Sequence, residues 1–280
     1  MKKLLVCTDG SSYARVCCEY AAWLANRTGA SVELLYVTDL RQFEVPLIAD
    51  LSGSLGIQPY QAILGQLQEL ESKKAKVILE DGSKVFEEAG LGDRLTTTHK
   101  TGLLVDCLSD YEGTEDMVIL GKRGENANFA TEHLGSTMER VVRASSRPCL
   151  VTSRAFQVPK RVLVAHDGGE SCNKAVEFLA KSTMIRGIDV HVVTVVSQSE
   201  DEALKHLRKA ESTLRAGGYS PVCQMLHGDP EEAIASYVST NQIGLLVMGA
   251  YGHSRIRYLI IGSTTTEMIR TCKVPVLLFR

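Results

Sequence analysis

Lys3-Leu4-Leu5-Val6-Cys7-Thr8-Asp9-Gly10-Ser11 returns 158 residues later as Arg161-Val162-Leu163-Val164-Ala165-His166-Asp167-Gly168-Gly169. In each copy an uninterrupted apolar run ends in Asp-Gly. Such a run reads as a strand buried on both faces of a parallel sheet, and Asp-Gly is turn chemistry. Helical spacing follows over Ala14–Arg27 and Cys172–Arg186, each followed by a glycine, Gly29 and Gly187, a common helix stop. The stretch is therefore a β-turn-α unit that occurs twice.

The correspondence continues. Ala30–Val37 matches Ile188–Val195 at the same offset of 158, Met117–Gly124 matches Leu245–Gly252 at 128, and Leu134–Thr137 matches Ile261–Thr264 at 127. The fall in offset places about 30 extra residues between the second and third strands of the first copy. Each copy alternates strands and helices through five strands, which predicts an α/β fold of two tandem, doubly wound, five-stranded parallel-sheet domains. The expected boundaries are 1–152 and 160–280, with a linker at 153–159 and a helical insertion at 39–90. Within the insertion, Ile63, Leu64, Leu67 and Leu70 predict an amphipathic helix over Tyr60–Leu79 that covers the domain or serves a partner.

Chemistry is concentrated after the fourth strand of the second copy. Ile243–Met248 runs into Gly249-Ala250-Tyr251-Gly252, and after nine residues comes Gly262-Ser263-Thr264, opening a helix from about Thr265 to Thr271. Glycines let backbone N–H groups approach an anion without a Cβ between them. The unpaired amides and positive dipole end of the helix favour phosphate. In a doubly wound sheet this loop shares a crevice with the end of the first strand, so Asp167 comes toward Gly249, Gly252, Gly262, Ser263 and Thr264. The Asp167 carboxylate can accept from a ribose hydroxyl or a base amine, or it can cap the helix that follows; the two roles are compatible. Backbone groups near Val195 can meet an adenine edge. His253 can touch a phosphate, and so can Arg255 and Arg257, although a solvated side chain is the commoner fate of all three. His227-Gly228-Asp229-Pro230 reads as a strand end and a helix start with proline in the first turn, Asp229 being able to hold Mg²⁺ through water.

The first copy offers a weaker version of this site: Asp9, Val37, Gly121, Gly124, Gly135 and Ser136. Its spacer is ten residues, Glu125–Leu134, and Glu125 and Glu132 put negative charge where phosphates would sit, partly offset by Lys122 and Arg123.

Composition narrows the classes. The net charge is −2, which recruits neither nucleic acid nor an anionic membrane surface. No apolar run approaches the roughly 18–20 residues of a membrane span, and the apolar start is too short for a signal peptide, so a cytoplasmic protein is expected. Eight cysteines include no Cys-x-x-Cys pair and several sit in strand contexts, consistent with reduced, buried thiols and no metal site. No catalytic residue is assigned, because no paired carboxylates or base stand in the loop to activate water, so slow hydrolysis of a bound nucleotide is the most that is expected.

These residues resemble the universal stress protein family in its tandem form, over nearly the whole chain outside Asp39–Gly90. The family's Gly-x2-Gly-x9-Gly-Ser/Thr pattern is matched by Gly249, Gly252, Gly262 and Ser263, and its strand-one Asp by Asp167. The resemblance implies an adenine-nucleotide alpha-hydrolase-like fold and a stress-response regulator or sensor that binds ATP with Mg²⁺ and hydrolyses it little or not at all. It also implies pairing of the two domains through Leu150-Val151 and Val276-Leu277-Leu278, and often a homodimer. Two other readings stand beside it. His166–Ser171 superficially resembles the pyrophosphate loop of adenylating enzymes, and the first domain with its insertion can enclose an apolar ligand or dock a protein partner.

Overall fold

A computed structural model describes residues 1–39, 57–111, 113, 116–123, 136–196, 199–250 and 262–280, with side chains of 57–64 and 136 outside the description. The first half runs β1 (Lys3–Thr8), α1 (Ser12–Thr28), β2 (Ser31–Thr38), α2 (Ile57–Glu88), β3 (Leu95–Thr101), α3 (Leu104–Ser109), β4 (Met117–Gly121), α4 (Ser136–Ala144) and β5 (Cys149–Thr152). The second runs β6 (Arg161–Ala165), α5 (Glu170–Lys181), β7 (Asp189–Val195), α6 (Glu200–Ala216), β8 (Val222–Leu226), α7 (Pro230–Thr240), β9 (Leu245–Gly249), α8 (Ser263–Thr271) and β10 (Val276–Phe279).

The strands form one sheet of ten in the order β3-β2-β1-β4-β5-β10-β9-β6-β7-β8. Every neighbouring pair is parallel except β5 with β10, which run antiparallel with Val276 opposite Val151, Leu277 opposite Leu150 and Leu278 opposite Cys149. Two five-stranded doubly wound units, read from the repeat, thus meet edge to edge in the pseudo-twofold fashion that the resemblance implies. The pairing gives the backbone groups of each last strand a partner and removes two exposed sheet edges.

Helices cover both faces. One cluster packs Cys17 and Leu24 of α1, Val85 and Phe86 of α2, Leu179 of α5 and Leu207 and Leu214 of α6 against the sheet, continuous across the seam through Leu150 and Leu277. The other packs Leu108, Val141, Ile234 and Met268, from α3, α4, α7 and α8, on the opposite face. Burial on both sides is why the strands read as solid apolar runs, with Val162, Leu163 and Val164 fully enclosed. Each such side chain contributes about 1.5–3 kcal/mol relative to exposure. Next to the seam, the Tyr20 hydroxyl lies 3.2 Å from Ser153 Oγ and accepts from the Gln157 amide at 3.3 Å, so α1 holds the segment joining the halves.

Helices α2 and α5 differ from expectation. Helix α2 has 32 residues and reaches Glu88 rather than Leu79. It stands where α6 stands in the other half, so the extra residues lengthen an existing crossover. The stripe that buries is Ala75, Ile78, Gly82, Val85 and Phe86, whereas Leu70 is 61% exposed. A Cβ on Gly82 would sit 2.7 Å from Leu34 Cδ2, so the glycine sets how closely α2 approaches the sheet. Finally, α5 stops at Lys181 instead of Arg186: Ser182 Oγ accepts the Met184 amide at 3.1 Å, and turns lead on to Gly187. Gly29 does end its helix, with φ +73° and its N–H on Ala25 O.

Candidate functional site

In the second half, β6 lies between β7 and β9, so the chain diverges from β6 in both directions and leaves a crevice at the carboxyl ends of β6 and β9. Asp167 stands on this rim and is exposed. It is not the helix cap: Gly169 occupies that position in α5. The Asp167 carboxylate instead accepts the Gly169 amide at 2.8 Å, closing a tight turn through Gly168 at φ +83°. Asn173 clamps the same turn from the helix, donating to Gly168 O at 3.0 Å and Gly169 O at 2.8 Å. The His206 ring of α6 lies so close over Gly168 that a Cβ there would overlap it.

His166 is enclosed beside the turn. Its Nδ1 accepts the Gly168 amide at 3.2 Å, which assigns the proton to Nε2. Burial, the largest influence, pushes its pKa down to about 4, so the ring is neutral at physiological pH.

The other wall is built from β9 and α8. Gly249, the last residue of β9, is buried, and a Cβ on it would stand 3.1 Å from Ser171 Cβ and 3.2 Å from Cys172 Sγ. Its immediate job is to admit the first turn of α5. The chain leaves at Ala250 and is back at Gly262, whose N–H donates to Ala250 O at 3.1 Å. Gly262 is the cap of α8 and supplies no side-chain acceptor, and the first turn of the helix holds no acidic residue. Ser263 and Thr264 open that turn. Buried Thr265 donates from Oγ1 to Gly249 O at 3.0 Å, tying the helix start to the strand end. The amides of this first turn thus carry the positive end of the helix dipole to the crevice rim. Val195 ends β7 half-buried, and the next amide, Val196, is already committed to Leu226 O at 2.8 Å. Gly252, His253, Arg255 and Arg257 lie outside the described residues.

The first half repeats the frame with different contents. Asp9 Oδ1 accepts the Ser11 amide at 3.0 Å, and Ser11 caps α1. Ile78 of α2 lies over Gly10, where a Cβ would approach its Cγ1 to 2.8 Å. An apolar side chain thus takes the position that His206 has in the second half. Val37 falls inside the β2–β3 ladder, which extends to Thr38 opposite Thr101. Gly121 ends β4, and Glu139 places a carboxylate in the first turn of α4, behind Ser136. Lys122, read from sequence as partly offsetting the spacer acids, points across the seam and donates to Cys272 O. Gly124 and Gly135 lie outside the described residues.

A model described as the universal stress protein family matches residues 1–153 and again 159–280. The chain belongs to this family. A universal stress protein of Synechocystis is 44% identical across the full length of both chains. One from Mycolicibacterium smegmatis is 24% identical, covering 99% of this chain and 96% of the relative. The crystal structure of a universal stress protein from Archaeoglobus fulgidus superposes with a TM-score of 0.75 over 99% of this chain and 98% of that one, at 21% identity, a likeness of fold.

For a universal stress protein read from sequence alone, Thr265, Asn173 and His206 were not anticipated. Thr265 and His206 act through contacts distant in sequence, and Asn173 bonds back to the turn before its own helix, none of which periodicity reveals. The reduced thiols expected from cysteine spacing are seen: all eight cysteines are free and six are buried, and burial drives Cys17, Cys149 and Cys172 up to about 12. Asp229 caps α7, accepting the Glu231 and Glu232 amides at 2.9 and 3.2 Å. Among the described residues no group of three His, Cys, Asp or Glu is placed to hold a metal, and no helix is long and apolar enough to cross a membrane.

Proposed function

We propose that this universal stress protein binds an adenine nucleotide, ATP with Mg²⁺, chiefly through its C-terminal half, and acts as a cytoplasmic stress-response regulator or sensor. In this reading the amides around Gly249, Gly252, Gly262, Ser263 and Thr264 take the phosphates. Asp167 takes the ribose, the backbone at Val195 borders the adenine, and His253 stands beside a phosphate. Mg²⁺ comes with the phosphates rather than with a protein cage, consistent with the lack of a carboxylate cluster among the described residues.

The observation that carries the reading is the start of α8: a first turn without an acid, behind a glycine cap, at the rim shared with Asp167. Its counterpart α4 carries Glu139 in the same turn. This difference supports ranking the second site above the Asp9, Gly121, Gly124, Gly135 and Ser136 site. Binding rather than turnover is assigned, since buried, neutral His166 is not presented to a water in the crevice. With β5 and β10 paired to each other, self-association of the chain would use another surface.

Calorimetric titration with Mg·ATP tests this. Gly252→Val, which puts a branched Cβ where an amide must approach phosphate, is expected to lower affinity at least about tenfold, and Gly124→Val much less. Unchanged affinity in Gly252→Val removes the assignment.

A further inference from the structure

A hollow of about 140 Å³ opens in the first half between α3, β4 and the turn joining α4 to β5. It lies at the amino ends of β4 and β5, whereas that half's nucleotide crevice lies at their carboxyl ends. Strands β5 and β10 separate it from Gly249. Val105, Leu108 and Val118 make its wall mostly apolar, and Arg147 is the one cation among the described residues lining it.

Arg147 is the anomaly. Its Nε is buried and has no acceptor among the described residues. A guanidinium donor enclosed without a partner is costly, and native structures normally supply one. The nearby described carboxylates are engaged elsewhere. Asp110 pairs with Lys100 at 2.6 Å, Asp116 accepts the Lys3 amide at 3.1 Å, and Glu33 pairs with Lys3 at 2.5 Å and accepts Thr98 Oγ1 at 2.9 Å. Of the three serines that line the hollow, Ser109 donates to Asp106 O at 2.6 Å and Ser145 to Arg147 O at 3.1 Å, which leaves the Ser146 hydroxyl as a neutral neighbour.

We infer that this hollow is a binding site for a small monocarboxylate with a compact apolar body, its carboxylate on the Arg147 guanidinium and its body against Val105, Leu108 and Val118. One planar guanidinium with few spare donors suits a carboxylate, whereas a phosphate dianion needs more donors than the hollow offers. The volume suits the ligand too: a cavity of roughly 150 Å³ accepts a benzene ring.

The test uses the full chain, titrated by calorimetry and by ligand-observed NMR with benzoate and butyrate. Benzamide serves as the neutral control and inorganic phosphate as the competing anion. Saturable benzoate or butyrate binding is expected, weakened at least about tenfold by Arg147→Gln and by replacement with benzamide. Val105→Phe, which fills the hollow without touching the charge, should also abolish it. Circular dichroism and Mg·ATP titration of both variants report whether they remain folded, and nucleotide binding should be unchanged. The inference is overturned if neither acid binds at about 10 mM. It is equally overturned if benzamide binds as well as benzoate, if phosphate is preferred, or if folded Arg147→Gln keeps full affinity.

Discussion

Lys122 and Cys272 belong to different halves of the chain, and the Lys122 ammonium donates to the Cys272 carbonyl. Cys272 is the C-terminal cap of α8, the helix whose first turn forms the proposed phosphate cradle. A residue from the first half's own glycine loop therefore sits at the negative end of the second half's phosphate helix, where a cation is favourable. Burial opposes the charge and lowers the lysine pKa to about 8.

That pair predicts a pH effect on stability. Between about pH 8 and the ordinary lysine value of 10.5, the unfolded chain keeps a proton that the native Lys122 has released. The unfolded state then binds more protons, so stability rises with pH across this window. Chemical denaturation of wild type and Lys122→Met from pH 7.5 to 10 is expected to show wild type gaining about 1–2 kcal/mol on the variant. Parallel curves would remove the buried charge from the account.

His166 gives a second window with the sign set in the acid range. Its folded pKa of about 4 lies below the ordinary 6.5, so the native state resists a proton that the unfolded chain takes up. Stability should fall as pH drops from about 6.5 toward 4, by up to about 3 kcal/mol from this one ring. His166→Asn should flatten that part of the profile; an unchanged slope would show that His166 is not its source.

Gly249 is expected to tolerate a branched side chain poorly, for reasons of packing. A Cβ would press on Ser171 and Cys172, whose helix cannot retreat without leaving the sheet. Gly249→Val should cost about 2–4 kcal/mol in denaturant unfolding, and weakened nucleotide binding should accompany it. A variant of wild-type stability would mean that the α5 turn can move.

The tandem architecture was legible because its signals are local or repeated: apolar runs such as Arg161–Ala165, and Asp-Gly turns at a constant offset. The β5–β10 pairing was implied by resemblance, since nothing in Cys149–Thr152 itself selects an antiparallel partner. The fate of Asp167 could not be read, because an aspartate before two glycines can cap a helix or close the turn ahead of it; Asn173, four residues into α5, decides for the turn. Likewise the apolar spacing marked the helix but placed its packed stripe too early: Leu67 is half-buried on the face that Val85 continues, and Leu70 is exposed. The buried stripe is chosen by Gly82 against Leu34, a contact between residues 48 positions apart in the chain. From the sequence Lys122 reads only as a charge that partly offsets Glu125 and Glu132, and only the seam reveals its carbonyl partner.

The central claim is that the amino end of α8, rather than that of α4, holds the nucleotide phosphates. Ser263→Asp places a carboxylate in the first turn of α8, which favours the helix by about 0.5 kcal/mol yet repels a triphosphate. Mg·ATP titration of Ser263→Asp and Ser136→Asp tests the claim most directly. The account predicts at least about a tenfold loss of affinity in Ser263→Asp, with thermal stability kept, and little change in Ser136→Asp. Wild-type affinity in Ser263→Asp, or a larger loss in Ser136→Asp, would contradict it.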